Sequence, residues 1–334
     1  MAARNHILGV ATCLPDNIVT NDDLSECMDT SHEWIEQRTG ICERRHIAED
    51  CGGTDLGKVA AEKALEDAGL TIEDIDLLIY ATLSPDLEWP ATACLMAAKL
   101  GAPPMPALDV RNQCSGFVYA LATADTWLKS GRGKHVLIVG GEIHSTGLDL
   151  TTRGREVSVI FGDAAAAVVV GPSPDGEKGI LSTHLHADGK FAEKLWMEVP
   201  SSRRSPNVMV EDFEGEDPSG YPRMAGRYVF KHAVTRFPEV IRESLAANGY
   251  GVEDLDLLVP HQANLRINQF VGAELKLDEA RVVNNMQKYG NTTAASIPLA
   301  LREALDDGRA KEGGLFCLAA FGAGFTWAAA LVRW

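Results

Sequence analysis

The sequence predicts an α/β protein built from two related halves, on two observations. Short, nearly all-apolar runs alternate with runs of helical length. A distinctive octapeptide also recurs 180 residues on: Ile72-Glu73-Asp74-Ile75-Asp76-Leu77-Leu78-Ile79 is matched by Val252-Glu253-Asp254-Leu255-Asp256-Leu257-Leu258-Val259. Each copy follows a helical stretch ending in Ala-Gly or Asn-Gly, and Val136–Gly140 has its counterpart, Phe316–Ala320, at the same offset. One spacing shared at two places points to a duplicated unit, with halves at 1–172 and 173–334.

The elements follow in order. Met1 to Val10 reads as a strand, without the long apolar region of a signal peptide. Thr54–Ala68 reads as a helix capped by Thr54 and ended by Gly69. Asp76–Thr82, Ala107–Val110, Val136–Gly140 and Ala165–Val170 read as strands, apolar enough for burial on both faces. Phe117–Ser130 reads as a helix. Ser173 to Gly220 is loop-rich, with prolines 174, 200, 206 and 218 and the acidic run Glu211–Asp217. That excursion is expected to be a solvated surface segment, with a lid beside the site as the sharper alternative.

Composition narrows the function. Of 334 residues 46% are hydrophobic, which suits a substantial core, and the formal net charge of −16 argues against nucleic acid as partner. The seven cysteines are scattered without a C-x-x-C, so neither a structural zinc site nor a disulfide framework is expected. Together with the missing secretion signal they predict a reducing, cytoplasmic setting. No apolar run is long enough for a membrane span. His184 and His186 would share one side of a strand with no third ligand, so no metal is expected there.

Cys114 carries the chemistry. It stands where a buried strand ends and a helix begins, and unpaired N–H groups at a helix start favour a thiolate nucleophile. Downstream, Pro260-His261-Gln262-Ala263-Asn264 offers a base at a strand's carboxyl end, where open α/β sheets bind ligands. Tyr289-Gly290-Asn291-Thr292-Thr293 offers an amide donor. An activated thiol, a base and an amide suit nucleophilic acyl transfer. A papain-like hydrolase also uses Cys, His and Asn in that order, but lacks an internal repeat.

The motifs Asp109-Val110-x-x-x-Cys114-x-Gly116-Phe117, Pro260-His261-Gln262-Ala263-Asn264-x-Arg266, Tyr289-Gly290-Asn291-Thr292-x-Ala294-Ala295-Ser296-Ile297-Pro298 and Phe321-Gly322-Ala323-Gly324-Phe325-Thr326-Trp327 resemble those of β-ketoacyl-acyl carrier protein synthase III. Glu33-Trp34-Ile35-x-x-Arg38-Thr39-Gly40-Ile41 and Phe161-Gly162-Asp163-Ala164 match the same family, and the resemblance runs from Ile7 to Trp334. It implies the thiolase-like fold, a duplicated five-layer α-β-α-β-α sandwich, and a homodimer. It implies decarboxylative condensation of an acyl-CoA with malonyl-acyl carrier protein (or malonyl-CoA) through an acyl-Cys114 intermediate, with no cofactor and no metal. His261 and Asn291 would hydrogen-bond the thioester oxygen, and the N–H groups of Cys114 and Ala323 would form the oxyanion hole.

By the same resemblance Trp34 stacks on adenine, Arg38 lies nearby, and either Arg153 or Arg155 holds phosphate. Asn264 contacts pantetheine, Gly226, Phe230 and Phe321 line the entrance, and Lys231 and Arg266 meet the carrier protein. Glu88 and Trp89 replace the family's usual residues at a dimer-interface position reaching the partner's acyl pocket. A simple interface role is the expectation for both; the alternatives are that Trp89 shortens the acyl channel, or that Glu88 brings a carboxylate near the site as in the olefin-biosynthesis enzymes that condense two acyl chains head to head. Acyl transfer or thioester hydrolysis on the same fold also competes with decarboxylative condensation. The sequence leaves chain length, malonyl carrier and pathway open.

Overall fold

The structure, a computed structural model, describes residues 4–334; the first three residues of the predicted opening strand lie outside them. In chain order the strands are β1 (Asn5–Cys13), β2 (Asn17–Thr20), β3 (Glu43–His46), β4 (Leu77–Ala81), β5 (Ala107–Val110), β6 (Val136–Glu142), β7 (Ala164–Pro172), β8 (Gly179–Ala187), β9 (Leu195–Trp196), β10 (Arg223–Met224), β11 (Leu257–Pro260), β12 (Leu315–Gly322) and β13 (Thr326–Arg333).

One main sheet has the order β1-β7-β6-β4-β5 and the other β11-β12-β13-β8. The pairing patterns match. β4 lies parallel to β6, which lies antiparallel to β7, which meets β1 antiparallel. In the second sheet β11, β12, β13 and β8 repeat those steps. Leu78 pairs with Ala107 in β5; on the matching side Leu258, 180 residues on, has a single parallel bridge to Val282 among the described residues.

The alternation of side chains along each strand sorts the core into layers. Leu77, Ile79 and Ala81 of β4 and Leu257 and Val259 of β11 face a central layer, formed by the helices Gly116–Lys129 and Ser296–Asp306. Leu78 and Tyr80 face outward onto the helices Gly53–Ala68 and Thr92–Lys99. Leu258 faces outward onto the helices Gly226–Ala246 and Leu265–Leu275. The result is the α-β-α-β-α order that the resemblance implies.

Three expectations are corrected. The stretch 173–220 is not all loop, since its residues 179–187 form β8, an outer strand of the second sheet. Its polar, half-exposed sequence Ser182-Thr183-His184-Leu185-His186 hides the strand, because an outer strand is not apolar on both faces. β5 is likewise only half-buried, as the unpaired edge of its sheet. The long outer helix begins at Gly53, with Gly52 as its N-cap; the Thr54 hydroxyl is bonded to Asp86 instead of capping.

Candidate active site

Cys114 sits in a one-turn 3-10 segment, Gln113–Ser115, between β5 and the helix Gly116–Lys129. Gln113 adopts φ +42°, a left-handed conformation costing a non-glycine residue about 1–2 kcal/mol. The Ser115 hydroxyl lies 2.7 Å from that of Thr326, so the start of β13 braces the strained turn. Gly322 closes against Cys114: a Cβ there would stand 2.8 Å from Cys114 Sγ and overlap Cys114 Cβ. Gly322→Ala is therefore expected to slow acyl loading about fivefold to 150-fold, the rate equivalent of 1–3 kcal/mol of overpacking, as read by rapid-quench mass spectrometry.

His261 follows β11, and its N–H donates to Ala319 O of β12 (2.8 Å). Its Nδ1 lies 2.6 Å from Ser296 Oγ, and the Ser296 hydroxyl donates to Thr293 O at 2.8 Å. With its own proton directed there, Ser296 accepts from Nδ1–H. Nε2 is thus a bare lone pair, buried and with no hydrogen-bond partner among the described residues.

Asn291 is pinned by its backbone: its N–H donates to Ile160 O (2.8 Å), and its carbonyl accepts from Gly162 N–H (3.1 Å). Thr293 N–H donates to its Oδ1 (2.9 Å), which leaves Nδ2, the donor end, for the cavity. Thr293 is itself strained, at φ +46°, and its Oγ1 lies 2.8 Å from His144 Nε2. His144 Nδ1–H reaches Gly162 O (3.1 Å), and the ring stacks on Phe161 at 4.6 Å, so His144 indirectly sets the Asn291 amide.

These three side chains, with Phe321 and Gly322, line the buried part of a cavity of about 670 Å³. Trp34, Arg38, Arg227, Phe230 and Arg266 line it where the side chains become exposed. Gly226 and Asn264 line it too. The cavity thus joins a buried thiol to a cationic rim on a chain of net charge −16.

The electrostatics correct one expectation. Burial first, and the Glu142 carboxylate second, push the Cys114 thiol up to about 12. The N–H groups of Ala323 and Cys114 pull it down, but burial prevails, so the resting thiol is neutral despite its place at a helix start. Burial, then the His144 ring, lowers His261 to about 3, so it too is neutral. Glu142 is raised to about 7 by burial, against hydrogen bonds from Ser84, Leu83, Ala294 and Thr82.

Several sequence candidates find other places. Arg153 is held by Asp149 (Nε to Oδ2, 2.6 Å) and by Gly215 O; Arg155 donates to Asp29 O and stands over the Trp34 ring at 5.3 Å, and neither lines the cavity. Arg38 covers that ring too, at 4.2 Å. The Asn264 side chain caps the helix Leu265–Leu275 through Arg266 N–H and donates to Arg38 O (3.0 Å), so its amide is already engaged. Glu88 and Trp89 do not line this chain's cavity; Glu88 pairs with Arg111 (3.7 Å) and Trp89 is 83% exposed. Lys231 is exposed outside the cavity lining. Glu243 bridges His184 (3.1 Å) and His186 (2.6 Å), a third group that the sequence did not reveal. Sequence reasoning also missed Ser296, His144, Glu142 and Arg227. Ser296 lay within a quoted motif, and His144 follows the carboxyl end of β6, the same signal that marked His261.

The models of the 3-oxoacyl-[acyl-carrier-protein (ACP)] synthase III family and of its C-terminal part match residues 108–189 and 245–334. The β-ketoacyl-[acyl-carrier-protein] synthase III of Xanthomonas euvesicatoria pv. vesicatoria is 48% identical over 330 residues, covering 99% of this chain and 98% of the relative. That of Rhodospirillum centenum is 47% identical and covers both chains fully. The crystal structure of 3-oxoacyl-[acyl-carrier-protein] synthase III from Aquifex aeolicus superimposes with a TM-score of 0.90 at 43% identity, covering 99% of this chain and 100% of that one. On its fold, its cavity and its full-length similarity, the chain belongs to the β-ketoacyl-acyl carrier protein synthase III family of thiolase-like condensing enzymes.

Proposed function

We propose that this chain condenses an acyl-CoA with malonyl-acyl carrier protein to start fatty-acid synthesis, with Cys114 as acyl carrier. The observation that carries the proposal is the unpartnered His261 Nε2, buried in the same cavity as the neutral Cys114 thiol and the Asn291 amide. As Cys114 Sγ attacks the thioester carbon, its proton passes to Nε2. The bond from that carbon to coenzyme A sulfur then breaks, and the leaving thiolate takes the proton. The N–H groups of Cys114 and Ala323 hold the oxyanion.

In the second half-reaction malonyl thioester loses CO₂, and the freed electron pair forms an enolate. Asn291 Nδ2–H meets its oxygen. His261 joins in its other tautomer, Nδ1 having given its proton to solvent and Nε2 having taken one up, with the Ser296 hydroxyl turned to donate to Nδ1. The enolate carbon bonds to the acyl carbon, the Cys114 C–S bond breaks, and the thiolate regains a proton from solvent. The balance matches: the overall reaction consumes one proton. No step calls for a cofactor.

Arg155 over Trp34 supports an adenine clamp built from those two side chains, with Arg153 outside it. Arg155→Ala is expected to raise KM for acyl-CoA about tenfold with kcat little changed, while Arg153→Ala leaves KM near wild type; steady-state kinetics checks both. Arg227, Arg266 and Lys231 give an acidic carrier protein a basic landing area. The half-buried β5 edge and the exposed Trp89 support a homodimer joined along that edge, tested by sedimentation. Seven free cysteines suit a reducing cytoplasm, and no helix among the described residues is long and apolar enough to cross a membrane.

Intact-protein mass spectrometry against a panel of acyl-CoAs, then malonyl donors, tests the whole scheme. An adduct on Cys114 discharged as a β-ketoacyl product supports it. An adduct that only hydrolyses overturns the condensing role.

A further inference from the structure

Away from the cavity, three potential metal-ligating side chains converge on the helix His32–Thr39 and the turn after it. His32 and Glu36 are one helical turn apart, with His32 Nε2 at 3.4 Å from Glu36 Oε2. Gly40, at φ +78°, reverses the chain and returns Cys42, whose Sγ lies 3.7 Å from Glu36 Oε1. One ligand atom from each residue falls within 4.8 Å of the other two. Tetrahedral zinc with ordinary bond lengths sets its ligand atoms apart by about 3.4 Å for N to O and about 3.6 Å for O to S. The two observed separations are close to those edges but end on different carboxylate oxygens, Oε2 toward His32 and Oε1 toward Cys42, and the third edge lies within 4.8 Å. Glu36 is exposed, so rotation of its carboxylate supplies the remaining closure and leaves an entry path.

We propose that His32 Nε2, the Glu36 carboxylate and the Cys42 thiolate bind zinc(II), with water as the fourth ligand. The donor set is borderline-soft, as zinc prefers, and its two negative charges balance the ion. Binding releases the Cys42 proton to solvent. The spacing His-x3-Glu-x5-Cys fits neither the C-x-x-C pattern nor the His-x-His pair considered for a metal in the sequence. The site plays no part in the condensation chemistry. It would clamp the helix that carries Trp34 and Arg38 to residue 42, whose N–H is bonded to Gln287 O (3.0 Å) in the segment leading to Asn291. Any effect on coenzyme affinity rests on the function proposed above; zinc binding itself does not.

The experiment uses the full-length, reduced, chelator-treated protein and zinc(II) alone. Alkylation of each cysteine by iodoacetamide is followed by peptide mass spectrometry with and without one equivalent of the ion. Cys27, Cys51 and Cys94, all exposed, serve as internal controls. The expected result is at least a tenfold slowing at Cys42, none at the controls, and loss of that protection in His32→Ala and Glu36→Gln. Cobalt(II) in place of zinc should show a thiolate charge-transfer band that Cys42→Ser removes. Equal Cys42 alkylation with and without zinc in the wild-type protein, or a cobalt band that survives Cys42→Ser, would overturn the proposal.

Discussion

Cys114→Ala will leave the fold intact and abolish covalent loading: no acyl adduct by intact mass with any acyl-CoA, and condensation reduced by roughly 10⁴-fold or more. The alanine is smaller than cysteine and sits in a fully formed wall, so the expected loss is of chemistry and not of structure. A covalent acyl adduct on this variant would show that Cys114 is not the nucleophile. The same residue gives a pH prediction with a definite sign. Burial raises the thiol to about 12, so the reactive thiolate fraction of the free enzyme grows about tenfold per pH unit throughout the range below that value. Iodoacetamide should therefore alkylate Cys114 ever faster from pH 6 to pH 10. A plateau near pH 7 would mean that the helix-start N–H groups outweigh burial. Loading by acyl-CoA should rise much less steeply, because His261 removes the proton within the step itself and stays neutral down to about 3.

The duplicated α/β architecture was legible because its signals are local. Apolar runs such as Leu77–Ala81 and Leu257–Pro260 are wholly buried strands, and their shared flanking acids expose the 180-residue repeat. β8 was not legible, because an outer strand carrying His, Ser and Thr has the composition of a loop. At the site, the identities of Cys114, His261 and Asn291 could be read from motif and chain position. Their states could not. The neutrality of Cys114 comes from burial and from Glu142, 28 residues away in sequence, and the orientation of Asn291 depends on Thr293 and on His144. Arg153 and Arg155 were indistinguishable in sequence; the contacts that favour Arg155 in the proposed coenzyme site, its place over Trp34 and the Asp149 pair of Arg153, are tertiary. Tertiary contacts of this kind fix proton positions and rotamers, which spacing along a chain does not encode.

Asn291→Ala separates the two half-reactions. In the proposed mechanism loading uses the thiol, His261 Nε2 and the backbone N–H groups of Cys114 and Ala323, none of which depends on the Asn291 amide. Decarboxylation places charge on a different oxygen, that of the malonyl thioester, and the fixed donor facing the cavity is Asn291 Nδ2. Removing one preorganised donor of this kind costs roughly 10²–10³ in rate, about 3–4 kcal/mol. The variant should therefore load to full stoichiometry within about threefold of the wild-type rate, then accumulate acyl-enzyme when malonyl-carrier protein is added. Asn291→Asp tests the sign of the effect: its carboxylate would oppose the enolate with like charge, so it should condense no better than alanine despite its matching shape. Single-turnover mass spectrometry resolves both steps. If loading and condensation fell together in Asn291→Ala, the amide would be holding the cavity wall through the bond its Oδ1 accepts from Thr293 N–H, and charge stabilisation would have to come from His261 alone.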